Sequence, residues 1–180
     1  MTKQLRTGMF LSAAMLAAQT GFAANHVSEA AEKRLEREVR RELVSLPFYS
    51  LFDHFAFRVD GYTVTLMGKV SRPTLKNDAE NVVKRIEGVE NVVNQIDVLP
   101  LSPNDDELRL RLYRAIYGHS ALQTLAIRAI PPIHIIVEKG DVTLEGVVAN
   151  EMQRNIAGIQ ANGVHGVFSL KNNLRVDSKT

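Results

Sequence analysis

The 180-residue chain has no cysteine and no tryptophan, and aromatic residues make up only 6% of it. Lack of Cys excludes disulfide staples, thiolate-held zinc, iron–sulfur clusters and thiol catalysis together. The five histidines are His26, His54, His119, His134 and His165, and none forms an HExxH or another i,i+4 ligand pair. No metal site is therefore predicted. Nucleophile-elbow, P-loop and dinucleotide-binding glycine patterns are also missing. Asp53-His54 and His119-Ser120 contain triad-type residues, but neighbours in sequence do not supply a triad's geometry. These absences predict a protein that is not an enzyme and carries no cofactor. At 45% hydrophobic and 23% charged residues, the chain is neither disordered nor polytopic in a membrane.

Acidic residues are missing before Glu29, while Lys3 and Arg6 form a basic start. The Met9–Ala18 run is almost wholly apolar or small, and Gly21-Phe22-Ala23 offers small residues for cleavage. Residues 1–23 thus read as a secretory signal peptide. Its apolar stretch is shorter than the ~20 residues that span a bilayer as a helix. Without Cys no lipobox exists, so no lipoprotein anchor is predicted. Cleavage would remove two of the 22 basic residues and leave 20 against 20 acidic ones. A formally neutral mature chain gives no reason to expect nucleic acid as a partner, because phosphate neutralisation calls for a net basic face.

The chain repeats itself. Shifted by 78 positions, Val64–Val98 aligns without gaps on Val142–Val176, with eleven identities in 35 positions. In the first copy, Leu35, Val39, Leu43 and Leu46 recur at helical spacing. Asp60-Gly61 is a hairpin turn signal between apolar strands. Ser71 and Pro73 suit a helix start, Leu75, Ala79, Val82, Val83 and Ile86 line one helical face, and Val89–Val98 supplies a last strand. The second copy offers Ser102-Pro103 with Asp105, Asp106 and Glu107 at a helix start, then Lys139-Gly140 as its hairpin turn. The predicted fold is α+β: two tandem αββαβ units, residues 28–99 and 104–178. Each is a three-stranded mixed sheet with two helices packed on one face, the second helix making the parallel crossover. Gly68 and Gly146, at matching mid-strand positions, would admit a bulge or a closely packed helix backbone. The short interval Leu99–Pro103 predicts that the units abut.

Two surfaces invite a functional reading. Four phenylalanines and Tyr49 crowd into Pro47–Phe57, a stretch expected to fill the first core and cover the junction. On the helix after Pro103, Leu108, Leu112, Ala115 and Ile116 form one side, and Arg109, Leu110, Tyr113, Arg114 and Tyr117 fall on the other. An aromatic–basic face is what an interfacial helix uses against anionic phospholipid, so these five are the candidate lipid-binding residues. The same face would equally suit docking against the first unit.

The strand Val142-Thr143-Leu144-Glu145-Gly146-Val147-Val148, the closing Gly166-Val167 with Asn172-Asn173-Leu174, and Ala115-Ile116-Tyr117 resemble the BON domain. Val64-Thr65-Leu66-Met67-Gly68-Lys69-Val70 with Gly88-Val89 and Asn94 resemble it a second time. That resemblance implies a periplasmic envelope protein that binds phospholipid surfaces peripherally, linked to envelope maintenance or osmotic stress. Envelope proteins are further candidate partners, and a chaperone-like module working through the phenylalanine-rich stretch or open sheet edges is the alternative.

Overall fold

The computed structural model describes residues 29–177, so the expected signal segment lies outside the described residues. The first unit runs α1 (Glu29–Val44), β1 (His54–Asp60), β2 (Thr63–Val70), α2 (Pro73–Val83) and β3 (Asn91–Val98). The second runs α3 (Pro103–Tyr117), a 3-10 turn at Gln123–Ile127, β4 (Ile133–Glu138), β5 (Asp141–Val148), α4 (Glu151–Asn162), β6 (Ser169–Asn172) and β7 (Arg175–Val176). In each sheet an antiparallel hairpin is followed by a parallel crossover. The second unit's last strand is interrupted, so β6 and β7 pair in turn with β5. Two tandem αββαβ units are thus present.

Each unit closes its own core. Leu35, Val39 and Leu43 of α1 meet Val64, Leu66 and Val70 of β2 and Leu75, Ala79 and Val83 of α2. In the second unit Leu108, Leu112 and Ile116 of α3 meet Ile133, Ile135 and Val137 of β4 with Val142 and Leu144 of β5. Alternation along the strands sends these residues to the helix-covered face and leaves a mainly polar set on the other. Helix starts follow local chemistry. Ser102 and Asn150 accept the Asp105 and Gln153 backbone N–H groups, and Pro103 needs no partner at the first helical position. Ser71 does not cap α2 as its position suggested; its hydroxyl and N–H both donate to Asp53.

The paired glycines have one cause, and it is not helix packing. Gly68 and Gly146 hold φ of 120° and 126°, and a Cβ there would lie 2.1 and 1.9 Å from the His54 and Pro132 carbonyl oxygens. The neighbouring strand approaches too closely for any side chain. Asn94 and Asn172, also matched by the repeat, bolt strand to helix by donating to the Lys76 and Arg154 carbonyls at 2.9 and 3.0 Å. Gly158 leaves room for the second bolt, since a Cβ on it would meet the Asn172 amide at 2.9 Å.

The units abut, as the short interval requires. Leu51 and Phe52 of the first pack against the core of the second. Ile136 points to the helix-free face of its sheet yet is only 4% exposed, and Lys69 pairs with Glu138 across the junction. Replacing Gly68 or Gly146 by Ala combines strained φ with a backbone clash and should cost at least about 2 kcal/mol. Denaturant midpoints would show this, and a loss below about 0.5 kcal/mol for either substitution would refute the close-approach account.

Candidate functional site

The five residues assigned to the outer side of α3 do not form one face. Arg109 is 5% exposed and Tyr117 3%, whereas Leu110 and Arg114 are exposed and Tyr113 is half-buried. The expectation that all five share one outward side is therefore corrected. The physical reason lies on β4, the edge strand of its sheet. Its outward backbone groups need partners, because a bare edge pairs with other chains and a buried one costs stability. Tyr117 Oη takes the N–H of Ile133 at 2.9 Å and donates to the carbonyl of the same residue at 2.7 Å. Arg109 donates to the Val137 carbonyl at 2.7 Å and pairs with Asp106. Eight helical residues span about 12 Å and four strand residues about 13 Å, so one helix reaches both ends of the edge. Between them, the Ile135 N–H donates at 2.8 Å to the Leu51 carbonyl of the first unit. Burial holds the Tyr117 phenol well above its ordinary range, so it stays protonated and keeps donating.

Asp53 sets Leu51 in place. This fully buried carboxylate accepts from the N–H and hydroxyl of Ser50 and of Ser71, at 2.6–3.0 Å. The four bonds satisfy it without His54, so Asp53-His54 is not a catalytic dyad. His119, the other triad-type histidine, accepts the Ala121 N–H within its own loop. Among the described residues, no group of three or more His, Asp or Glu could hold a metal ion.

A groove of about 560 Å³ opens where the units meet. Its apolar floor includes Tyr49, Phe55 and Phe57 from the first unit and Pro132 from the second. Arg40, Arg128 and Arg175 also line it, and no carboxylate does. Tyr49 stacks between Phe55 and His134, with ring centroids 5.0 and 5.7 Å apart, and His54 lies 5.8 Å from His134. Burial, aided by the Asp53 charge, pushes the Tyr49 phenol up to about 12. Burial also lowers both histidines below their ordinary value; Glu145, with Oε2 4.0 Å from His54, opposes the shift there, and Arg175 reinforces it. The phenylalanine-rich stretch divides as expected between core and junction, except Phe48, which is 68% exposed under the Arg72 guanidinium. Sequence reasoning missed the groove, since Arg40, Arg128 and Arg175 come from three distant segments. The readable signal was the extra length between α3 and β4, which carries Arg128 and the 84%-exposed Ile127.

Tyr117→Phe removes one hydroxyl and leaves the Ile133 N–H and carbonyl without that partner. A loss of about 1–3 kcal/mol in urea unfolding is expected. An unchanged stability would show that Tyr117 does not cap the edge.

A search of curated proteins finds no match. Among solved structures, CdsD, a structural protein of the type III secretion system of Chlamydia trachomatis, is similar at 14% identity. The likeness covers 80% of this chain and 92% of that one, with a TM-score of 0.29. The C-terminal domain of CdsD is similar at 14% identity over 79% of this chain and 97% of that one, with a TM-score of 0.28. Likeness at that level says nothing about function. The BON domain model matches twice, at residues 31–100 and 104–178. Proteins with this domain are typically periplasmic or envelope-associated, generally non-catalytic, and associated with phospholipid binding. No helix among the described residues is long and apolar enough to cross a membrane. With two matches spanning nearly all of the described residues, the chain belongs to the BON-domain family in its tandem form.

Proposed function

We propose that this is an exported, non-catalytic envelope protein that binds anionic phospholipid surfaces peripherally through the groove between its two units. The observation that carries this reading is the groove's charge: three arginines, no carboxylate and an aromatic floor. Arg40, Arg128 and Arg175 form no ion pair among the described residues, so their charge is available to a phosphate. Arg40 lies 5.6 Å over the Phe57 ring, an arrangement that orders its guanidinium while leaving donors free. Ile127 supplies an apolar tip beside Arg128 that can enter the headgroup layer.

The magnitudes fit a reversible attachment. Each basic side chain contributes ~1 kcal/mol near an anionic surface, and an inserted isoleucine about 1–2 kcal/mol. The sum, roughly 4–5 kcal/mol, is a millimolar-range interaction that a dense membrane surface makes effective. Leu110, Tyr113 and Arg114 of α3 remain in the proposal as a second, smaller patch; Arg109 and Tyr117 leave it, because the edge of β4 occupies them.

Flotation with phosphatidylglycerol vesicles at low salt tests the reading. The unaltered chain should float, and Arg40→Gln/Arg128→Gln/Arg175→Gln should bind at least about tenfold more weakly. Leu110→Ser/Arg114→Gln should lose less. Absence of binding by the unaltered chain would refute the function, and full binding by the triple variant would refute the groove.

A further inference from the structure

Two titratable rings sit in the wall of a groove that otherwise carries only arginine charge, and nothing above gives them a task. His54 opens β1 and His134 lies on β4, so one comes from each unit. Both line the groove, their rings meet edge to face, and the Nδ1 atom of His134 is buried without a hydrogen-bond partner among the described residues. An unpartnered ring nitrogen has no structural duty to lose when it takes a proton.

We propose that His54 and His134 make lipid binding proton-linked: acidification charges the groove and tightens its hold on an anionic headgroup. The inference rests on the groove being the lipid-binding site. Every element around the pair contributes a charge to the balance. From β2 comes Lys69, the cross-strand partner of His54, and from β5 comes Glu145, which stands opposite both rings. Arg175 opens β7, Arg40 belongs to α1 and Arg128 to the loop before β4. Asp53 and Tyr49 flank the pair from the first unit, with Asp53 already saturated by four donors.

In the free protein, burial and the mutual repulsion of two adjacent cations keep the rings neutral near pH 7, as their lowered titration indicates. Arg175 acts in the same direction on His54, and Glu145 opposes it. A phosphate in the groove neutralises the arginines and attracts the imidazolium form, so titration rises on binding. A group that holds its proton more tightly in the complex strengthens binding as pH falls through its titration range. The free chain responds the other way. With folded-state titration below the ordinary 6.5, its stability is full above that pH and declines as pH falls below it. Anionic lipid should therefore offset an acid-induced weakening of the junction.

Vesicle flotation at pH 7.5 and pH 5.5 tests this, since phosphatidylglycerol keeps its charge over that interval. Affinity should rise about tenfold for each histidine that binding holds protonated. His54→Gln/His134→Gln should lose the pH dependence, gaining little between pH 7.5 and pH 5.5 relative to its own affinity at the higher pH. His119 and His165 do not line the groove and stay in place as internal controls. Equal binding at both pH values, or an undiminished gain in the double variant, would overturn the inference and leave the groove standing. Failure to bind at either pH would overturn the functional reading as well. Should the double variant misfold, NMR titration of the intact chain decides. Short-chain phosphatidylglycerol must raise the titration midpoints of both rings, and unchanged midpoints would refute the linkage.

Discussion

The outer edge of β4 is the constraint on which the rest of the structure depends. An edge strand must have its backbone groups paired, hydrated or shielded. Here three successive outward residues are each given a partner: Ile133 by Tyr117, Ile135 by Leu51 and Val137 by Arg109. Two of the partners come from the second unit's own helix and the third from the first unit. Satisfying one strand therefore also docks two domains. Units of this size without disulfides bury only about 60% of their surface, so a shared boundary adds stability that each lacks alone.

From that docking the groove follows. Leu51 can reach Ile135 only because Asp53 holds the turn before β1, and the same turn brings His54 and Tyr49 against His134. The two copies have diverged accordingly. In the second, the first helix spends its Arg and Tyr on a strand edge. In the first, α1 leaves Arg40 free to border the groove. A duplication that began with equal units thus ended with one helix as a clamp and the other as part of a binding surface.

Much of this was legible beforehand, and the boundary between what was and was not is physical. Core positions such as Leu35, Val39 and Leu43, or Val142 and Leu144, follow from periodicity, because burial on one face repeats along an element. Gly68 with Gly146, and Asn94 with Asn172, stood out because a repeat preserves what its geometry requires. Arg109 and Tyr117 were misplaced for an equally clear reason. A helical wheel sorts side chains by angle, but long polar ones reach around the helix to backbone that the wheel does not contain. Nor could the groove be read in advance, since Arg40, Arg128 and Arg175 come together only when the units dock.

The most direct test of this account is amide chemical-shift mapping of the intact chain during titration with anionic bicelles. If the junction is the binding site, the largest shifts will fall together on α1 near Arg40, on the Ile127–Pro132 loop, on His54 and His134, and near Arg175. Shifts confined to the outer side of α3 around Leu110 and Arg114, with the junction silent, would contradict it.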